Sequence, residues 1–443
     1  MDHFSHSDGS LHCEGVPVAA IAAAVGTPTY VYSAATLRDH ARRLAEAWAP
    51  LSPRICFSVK SCPNIAVLRT LVEAGTGMDV VSGGEIARAL RAGCPASQIV
   101  YAGVGKSDEE IRLALRERVG LLNIESEPEL ENVQRLAEGA SRVAHCALRV
   151  NPDVDPRTHR HTTTGTRETK FGVDLAQALA IFRRHGRNPH ALLDGIHLHI
   201  GSPVYSVEPY VESVRRALAL MDTLAADGIR IRTLDLGGGF GADYETGQSP
   251  DARRYAEAVT PLLAPRVRDG LEVILEPGRT IAANAGVLVT RVQYVKRGGA
   301  KTFVICDAGM HTLLRPSHYD AFHFMWPVHP APGFVPARRA REMPMDGLEA
   351  VDVVGPLCET GDYLALDREL PPMSRGDLLA VFTAGAYGMS MSSRYNSHAL
   401  PAEVLVDGAE ARVIRRRETL DDLLAHEDPH GARIGIPAET AAP

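Results

Sequence analysis

The chain has 443 residues, 45% hydrophobic and 23% charged, which suits a globular protein of two or three domains with a large core. A net charge of −7, from 47 basic and 54 acidic side chains, lacks the basic footprint of a nucleic-acid binder; the densest basic cluster is only Arg415-Arg416-Arg417. No stretch approaches a membrane-spanning apolar run, Met1–Phe4 lacks the basic start of a secretory signal, and the seven cysteines contain no CxxC pair, so they read as reduced thiols of a cytoplasmic protein.

The first strand-like run is Thr29-Tyr30-Val31-Tyr32. From residue 54 to residue 276, short apolar runs alternate with amphipathic helical patterns. The predicted strands are 54–60, 77–82, 98–103, 120–125, 143–150, 192–200, 231–237 and 271–276. The predicted helices between them are 64–75, 84–92, 108–117, 127–138, 174–185, 208–227 and 252–268. Ser107 with Glu110 forms a capping-box pattern, and Gly75, Gly93 and Gly228 each follow a helix, where a terminating glycine belongs. Such alternation implies a parallel sheet with helical crossovers. Eight strands suit a closed (β/α)8 TIM barrel, with an open doubly wound sheet as the alternative.

Beyond residue 285 helical periodicity nearly vanishes until 419–425. Runs at 302–307, 350–355, 378–383, 403–406 and 411–415 read as strands, with a hairpin signal at Asp407-Gly408. The expected division is a barrel over 35–284 and a β-barrel or sandwich domain made of 1–34 plus 285–443. That second domain takes the N-terminal strand and ends in a loosely ordered tail, 428–443.

The unusual residues cluster at the C-terminal ends of the barrel strands, where barrel enzymes carry their chemistry. Lys60 closes the first strand; it is either a lysine snorkelling at a strand end or a Schiff-base lysine. Asp79, Ser82 and Glu85 follow the second, where Ser82 could simply cap a helix. His197 and His199 lie two apart on the sixth strand and share a face. They could be core residues, metal ligands or, for one of them, a flat ring stacked on a flat cofactor. Asp235-Leu236-Gly237-Gly238-Gly239 is either a tight turn or a loop whose backbone N–H groups cradle a phosphate. Glu276-Pro277-Gly278-Arg279 offers a carboxylate and a guanidinium fork. In the second domain come Asp307-Ala308-Gly309-Met310, Arg315-Pro316, Tyr319, Cys358-Glu359 and Gly385-Ala386-Tyr387.

Taken in order, these motifs resemble the fold-type III pyridoxal-phosphate decarboxylases, which act on ornithine, arginine or diaminopimelate, from about Pro28 to Asn396. The resemblance implies that Lys60 holds the cofactor, pyridoxal 5′-phosphate, with Asp79 close by. It implies that His199 stacks on the pyridine ring and that Glu276 partners the pyridine nitrogen. Ser202, Gly238, Gly239, Gly278, Arg279 and Tyr387 match positions around the phosphate. Arg315 and Tyr319 resemble the substrate grip of the diaminopimelate-specific branch, with Glu359, Arg279 and Tyr387 also facing substrate; a fork at Arg315 suits a distal carboxylate. Lys170-Phe171-Gly172, His161 and Thr164-Gly165 also resemble that branch. The resemblance further implies a homodimer in which Cys358, a proton donor, and Glu359 cross to the other subunit's site. Alternatives are a related decarboxylase with another substrate, a racemase on a similar barrel, and a regulator that has lost its cofactor.

Overall fold

The computed structural model describes residues 2–154, 170–245 and 251–431. Eight parallel strands close into a barrel: Arg54–Ser58, Gly77–Val80, Ile99–Tyr101, Leu121–Ile124, Ala144–Arg149, Ala191–His197, Thr233–Asp235 and Glu272–Leu275. Closure is made by the last strand pairing with the first, Ile274 with Arg54 and Leu275 with Ile55. The open-sheet alternative is thereby excluded. Each strand is shorter than its apolar run, because the residues past its end leave the ladder and line the barrel mouth.

The barrel strands are apolar on both faces because helices cover one face and neighbouring strands fill the other. Inside the barrel Cys56, Val100, Leu121, Ala147 and Ile274 form a cluster separate from the main core. Side chains alternate along a strand, so the next inward positions are two residues further on. Those positions are Ser58, Ala102, Asn123, Arg149 and Glu276, polar at all but Ala102. One strand repeat thus carries the interior from a dry plug to a polar floor beneath the mouth.

All seven expected helices form, within two residues of their predicted ends at nearly every terminus. Ser107 and Glu110 make the reciprocal capping box. Gly75, Gly93 and Gly228 adopt φ of 91°, 95° and 76°, the left-handed conformation that ends a helix. A helix over Ala34–Trp48, capped by Ser33, was not anticipated; it buries Leu37, Ala41, Leu44 and Trp48 and packs against the helix Ala252–Arg268.

The second domain is a sheet whose strands run, side by side, Tyr363–Leu370, Glu349–Val354, Lys301–Cys306, Gly286–Gly298, Thr29–Ser33, Ala402–Asp407 and Glu410–Arg415. Thr29–Ser33 therefore joins it as expected, antiparallel to Gly286–Gly298 and parallel to Ala402–Asp407. The hairpin at its edge turns on Gly408-Ala409, one residue later than the Asp407-Gly408 reading, since Asp407 pairs with Glu410. The long strand Gly286–Gly298 was missed: its apolar half is continuous with the barrel's end, and its outer half is polar and exposed. The stretch before Thr29, for which the sequence pattern predicts no element, also folds, as a three-stranded sheet over Phe4–Ser7, Ser10–Cys13 and Val16–Pro17.

Candidate active site

The barrel mouth gathers most of the singled-out residues. Lys60 follows the first strand in a single 3-10 turn, Val59–Ser61. Its Nζ donates to Asp79 Oδ2 at 2.9 Å, and Ser58 Oγ donates to the same oxygen. Asp79 is fully buried, whereas 37% of the Lys60 side chain still faces the open mouth. Burial alone would lower the Lys60 ammonium; the charges of Asp79, Tyr387 and Glu276 outweigh it and hold the group above its ordinary range.

Across the mouth, His199 Nδ1 accepts the backbone N–H of Gly238 at 3.2 Å. That bond fixes the ring against the glycine loop and requires Nδ1 unprotonated. Burial, then the nearby Arg149 and Lys60 charges, keep His199 well below its usual range, so it is a neutral flat ring. The loop itself is tightly built. A Cβ on Gly238 would lie 2.3 Å from the Glu276 carbonyl oxygen, and one on Gly239 would lie 2.4 Å from that of Gly201. Gly239 also has φ of 95°. Gly239→Ala should therefore destabilise the protein by about 2 kcal/mol or more, read as a fall in the urea midpoint of the apoprotein.

Arg279 sits at the first turn after Glu276-Pro277-Gly278. Its Nε donates to Ser202 Oγ at 3.2 Å and its Nη1 to Tyr244 Oη at 2.7 Å, and the guanidinium stacks 4.7 Å from the Tyr387 ring centre. Tyr387 is anchored by its own N–H, which donates to the Ser61 carbonyl at 2.8 Å. Gly278 is pressed against Ser58 and Ser61, where a Cβ would lie 2.8 Å from Ser58 Cβ. Arg315 approaches from the second domain. Its guanidinium stacks 4.8 Å from Tyr244 and 5.8 Å from Tyr319, and its buried Nε has no hydrogen-bond partner among the described residues. Burial, and the Arg279 charge, lower its pKa, although the flanking tyrosines oppose this.

Beneath these groups lies a buried polar floor. Asn123 Nδ2 donates to Asp235 Oδ2 at 3.2 Å and to Glu276 Oε1 at 3.1 Å. His197, Asp235 and Glu276 bring ligand-type atoms within 4.8 Å of one another. The metal-ligand reading of the two histidines meets an obstacle here, because the Asn123 amide donor already faces both carboxylates. Arg149 pairs with Glu125 at 2.8 Å and stacks 4.5 Å from Phe171. Gly172 N–H donates to Glu125 Oε2 at 2.8 Å, which ties the Lys170-Phe171-Gly172 motif to the floor. His161, Thr164 and Gly165 lie outside the described residues.

Ser82 and Glu85 follow the bland reading. Ser82 caps the helix Gly83–Arg91, and Glu85 accepts the Val81 N–H at 2.8 Å, with its carboxyl pushed up to about 7 by burial. Cys358 and Glu359 are not brought to this mouth: both are exposed on the second domain, Cys358 N–H donating to Asn396 and Tyr395 Oη donating to Glu359 Oε2 at 2.9 Å. Tyr244, Asn123, Asp235 and Arg149 enter the site without having been assigned a role from sequence. Asn123 and Arg149 carried a signal, a polar residue at the inward position near the end of an apolar strand. Tyr244 carried none, since it lies in the loop after the triglycine.

The family model for the pyridoxal-dependent decarboxylase, pyridoxal binding domain, matches residues 34–283. Diaminopimelate decarboxylase of Pseudomonas aeruginosa is 45% identical over 427 residues, 96% of this chain and 99% of that protein. The chain belongs to the diaminopimelate decarboxylase family. The enzyme of that name from Neisseria meningitidis serogroup A is 44% identical over 94% of this chain and 99% of its own. Among solved structures, diaminopimelate decarboxylase from Helicobacter pylori complexed with L-lysine is 36% identical, with a TM-score of 0.85 over 92% of this chain and 98% of that one. The diaminopimelate decarboxylase of M. jannaschii in co-complex with L-lysine reaches a TM-score of 0.88 at 32% identity, over 97% and 99% of the two chains. A lysine/ornithine decarboxylase from Vibrio vulnificus, at 22% identity and a TM-score of 0.75, shares the fold.

Members of this decarboxylase family use pyridoxal 5′-phosphate, and the residues present fit that group. An amine at Lys60, a neutral ring at His199, a glycine loop packed too closely for side chains and a buried cation at Arg279 surround one space. Lys60 would hold the cofactor covalently, Glu276 would face its ring nitrogen, and Arg279 with Ser202 would face its phosphate. Tyr244→Phe removes the 2.7 Å bond that aims Arg279. A hydrogen bond to a charged group contributes about 1.5–3 kcal/mol, so cofactor affinity should weaken roughly tenfold to a hundredfold in an apoprotein titration, with no loss of thermal stability on that scale.

Proposed function

We propose that this protein decarboxylates meso-2,6-diaminopimelate to L-lysine and CO2, with pyridoxal 5′-phosphate as cofactor. The observation that carries the reading is Arg315: a buried guanidinium with an unpartnered Nε, stacked between Tyr244 and Tyr319 beside the Arg279 end of the cofactor space. Such a fork suits a carboxylate at the far end of the substrate, and an ornithine or arginine side chain would bring a second positive charge to it. Pyridoxal phosphate, when bound, supplies the electron sink for the carbanion left as CO2 departs.

The protein's own groups do the rest. Asp79 positions the Lys60 amine at the mouth, where it would hold the cofactor. Glu276 would hold a negative charge against the cofactor's ring nitrogen, His199 would stack on its ring, and Arg315 with Tyr319 would orient the distal end of the substrate. Cys358 of the partner subunit returns a proton to the reacting carbon, and Glu359 of the partner subunit accepts the distal ammonium. Their exposure in one chain supports this assignment to a homodimer. The boundaries that go with the reading are 35–284 for the cofactor barrel and 1–34 plus 285–443 for the second domain. The cytoplasm is the compartment we assign; no described helix is long and apolar enough to cross a membrane.

Side-by-side values of kcat/KM for meso-diaminopimelate, ornithine and arginine test the substrate. Diaminopimelate should be preferred by at least about a hundredfold, the discrimination expected when a buried charge lacks its partner. A preference for ornithine would overturn the role of Arg315.

A further inference from the structure

Asp235 ends the seventh barrel strand and has no role in the scheme above. Its Oδ1 accepts the Gly237 N–H at 2.8 Å, which fixes the start of the glycine loop. Its Oδ2 shares a single donor, Asn123 Nδ2, with Glu276. Asp235 and Asn123 are 0% exposed and Glu276 is 4% exposed, so water does not screen the two carboxyls from each other.

The charges around the pair do not balance. Among the described residues two cations reach this floor, and each already pairs with another acid: Lys60 with Asp79, and Arg149, through Nη1, with Glu125. Four carboxyls face them, counting Asp79, Glu125, Asp235 and Glu276. Glu85 adds a fifth, further out, against Asp79 and Lys60. His197 packs against the pair, its Nε2 3.4 Å from Glu276 Oε2, and burial lowers it to about 4, so it is neutral. Cys56 lies below, and burial keeps its thiol protonated. Two adjacent ionised carboxylates without a counter-ion are strongly unfavourable in such a place.

We propose that Asp235 and Glu276 share one proton and that it resides on Asp235, making Asp235 a neutral donor that locks Glu276 as the ionised member of the pair. The inference rests on Glu276 being the partner of the cofactor's ring nitrogen. Lys60 and Arg149 favour charge on Glu276, whereas no cation faces Asp235 as closely. Burial first, and the Glu276 charge second, push the Asp235 carboxyl well above its ordinary range. Burial, then the Asp79 charge, also raises Glu276, to about 8, but Lys60, the bond from Asp235 and Arg149 oppose the rise, so Glu276 is the more acidic member of the pair. Asp235 is thus a positioning residue: it acts through Glu276 and, at its other oxygen, through the phosphate loop.

The test compares Asp235→Asn, Asp235→Ala and Glu276→Gln in the full-length protein. Asparagine keeps a donor toward Glu276 and an acceptor for Gly237, and gives up only the 3.2 Å bond that Asp235 Oδ2 accepts from Asn123 Nδ2. Asp235→Asn should leave the pyridoxal-phosphate dissociation constant within about threefold of the parent and the pH titration of the bound cofactor's visible band unmoved. Asp235→Ala should weaken cofactor binding about tenfold or more, and Glu276→Gln should lower kcat at least about a hundredfold. If Asp235→Asn shifts the band's titration and kcat as far as Glu276→Gln does, the charge resides on Asp235 and the proposal fails. It fails equally if Asp235→Ala matches the parent. Infrared spectra of the parent apoprotein give a reading that needs no folded variant. A carboxylic-acid C=O stretch that shifts on 13C-aspartate labelling supports the proposal, and its absence overturns it. A parent protein that never binds pyridoxal phosphate would sink the functional reading instead, and the infrared result would still decide where the proton lies.

Discussion

Lys60→Ala abolishes the visible absorbance of the bound cofactor and lowers kcat/KM at least about a thousandfold, roughly 4 kcal/mol of transition-state stabilisation. Lys60 is an amine at the mouth held by the buried Asp79, and on the proposed reading the remaining contacts cannot replace its covalent hold. The alanine variant also leaves Asp79 as a buried carboxylate without its cation, a change that costs about 3–5 kcal/mol when a buried pair is broken. Lost stability could then be mistaken for lost chemistry. Lys60→Arg separates the two, because the guanidinium keeps the Asp79 pair but cannot form the covalent bond. Absorbance and turnover should vanish in both variants, and the melting temperature should fall mainly in alanine. Retained turnover in the arginine variant would remove Lys60 from the mechanism.

Arg315→Ala raises KM for diaminopimelate far more than it lowers kcat, with a total loss in kcat/KM of about 3 kcal/mol, or roughly 150-fold. Arg315 is 7% exposed, and its guanidinium has an Nε without a partner among the described residues and a pKa lowered by burial, all of which a substrate carboxylate would relieve. The same features predict that removing it does not destabilise the unliganded protein, since an uncompensated buried charge is lost along with the stacking on Tyr244. Arg315→Lys should recover only part of the activity, because an ammonium cannot make the two-pronged bond. An equal loss with ornithine would show that Arg315 supports the site generally and reads no distal carboxylate.

The barrel was legible because its signal is redundant. Eight apolar runs, seven amphipathic helices, a capping box and three terminating glycines all agree, and the strand ends carry the chemistry. Lys60, His199, the triglycine and Glu276 stood out for the same reason: each is an unusual residue at a place where a barrel opens. What stayed hidden depends on distance through space. Gly286–Gly298 does not read as one strand because half of it is solvated. Tyr244 matters only because the loop returns it between Arg279 and Arg315, which lie 36 residues apart in sequence and approach one ring. Asp235 was visible as a residue next to the glycine loop, yet its relation to Glu276 is set by barrel closure and one shared amide. Cys358 and Glu359 remain outside the mouth of the single chain, so the roles proposed for them require a second subunit.

The most direct test is to load the purified protein with pyridoxal phosphate, add meso-diaminopimelate and measure CO2 and lysine together. Equal molar amounts of the two are expected, with diaminopimelate consumed in the same proportion. A protein that binds the cofactor and shows its visible band but releases neither product would contradict the assigned reaction and, with it, the role of Arg315.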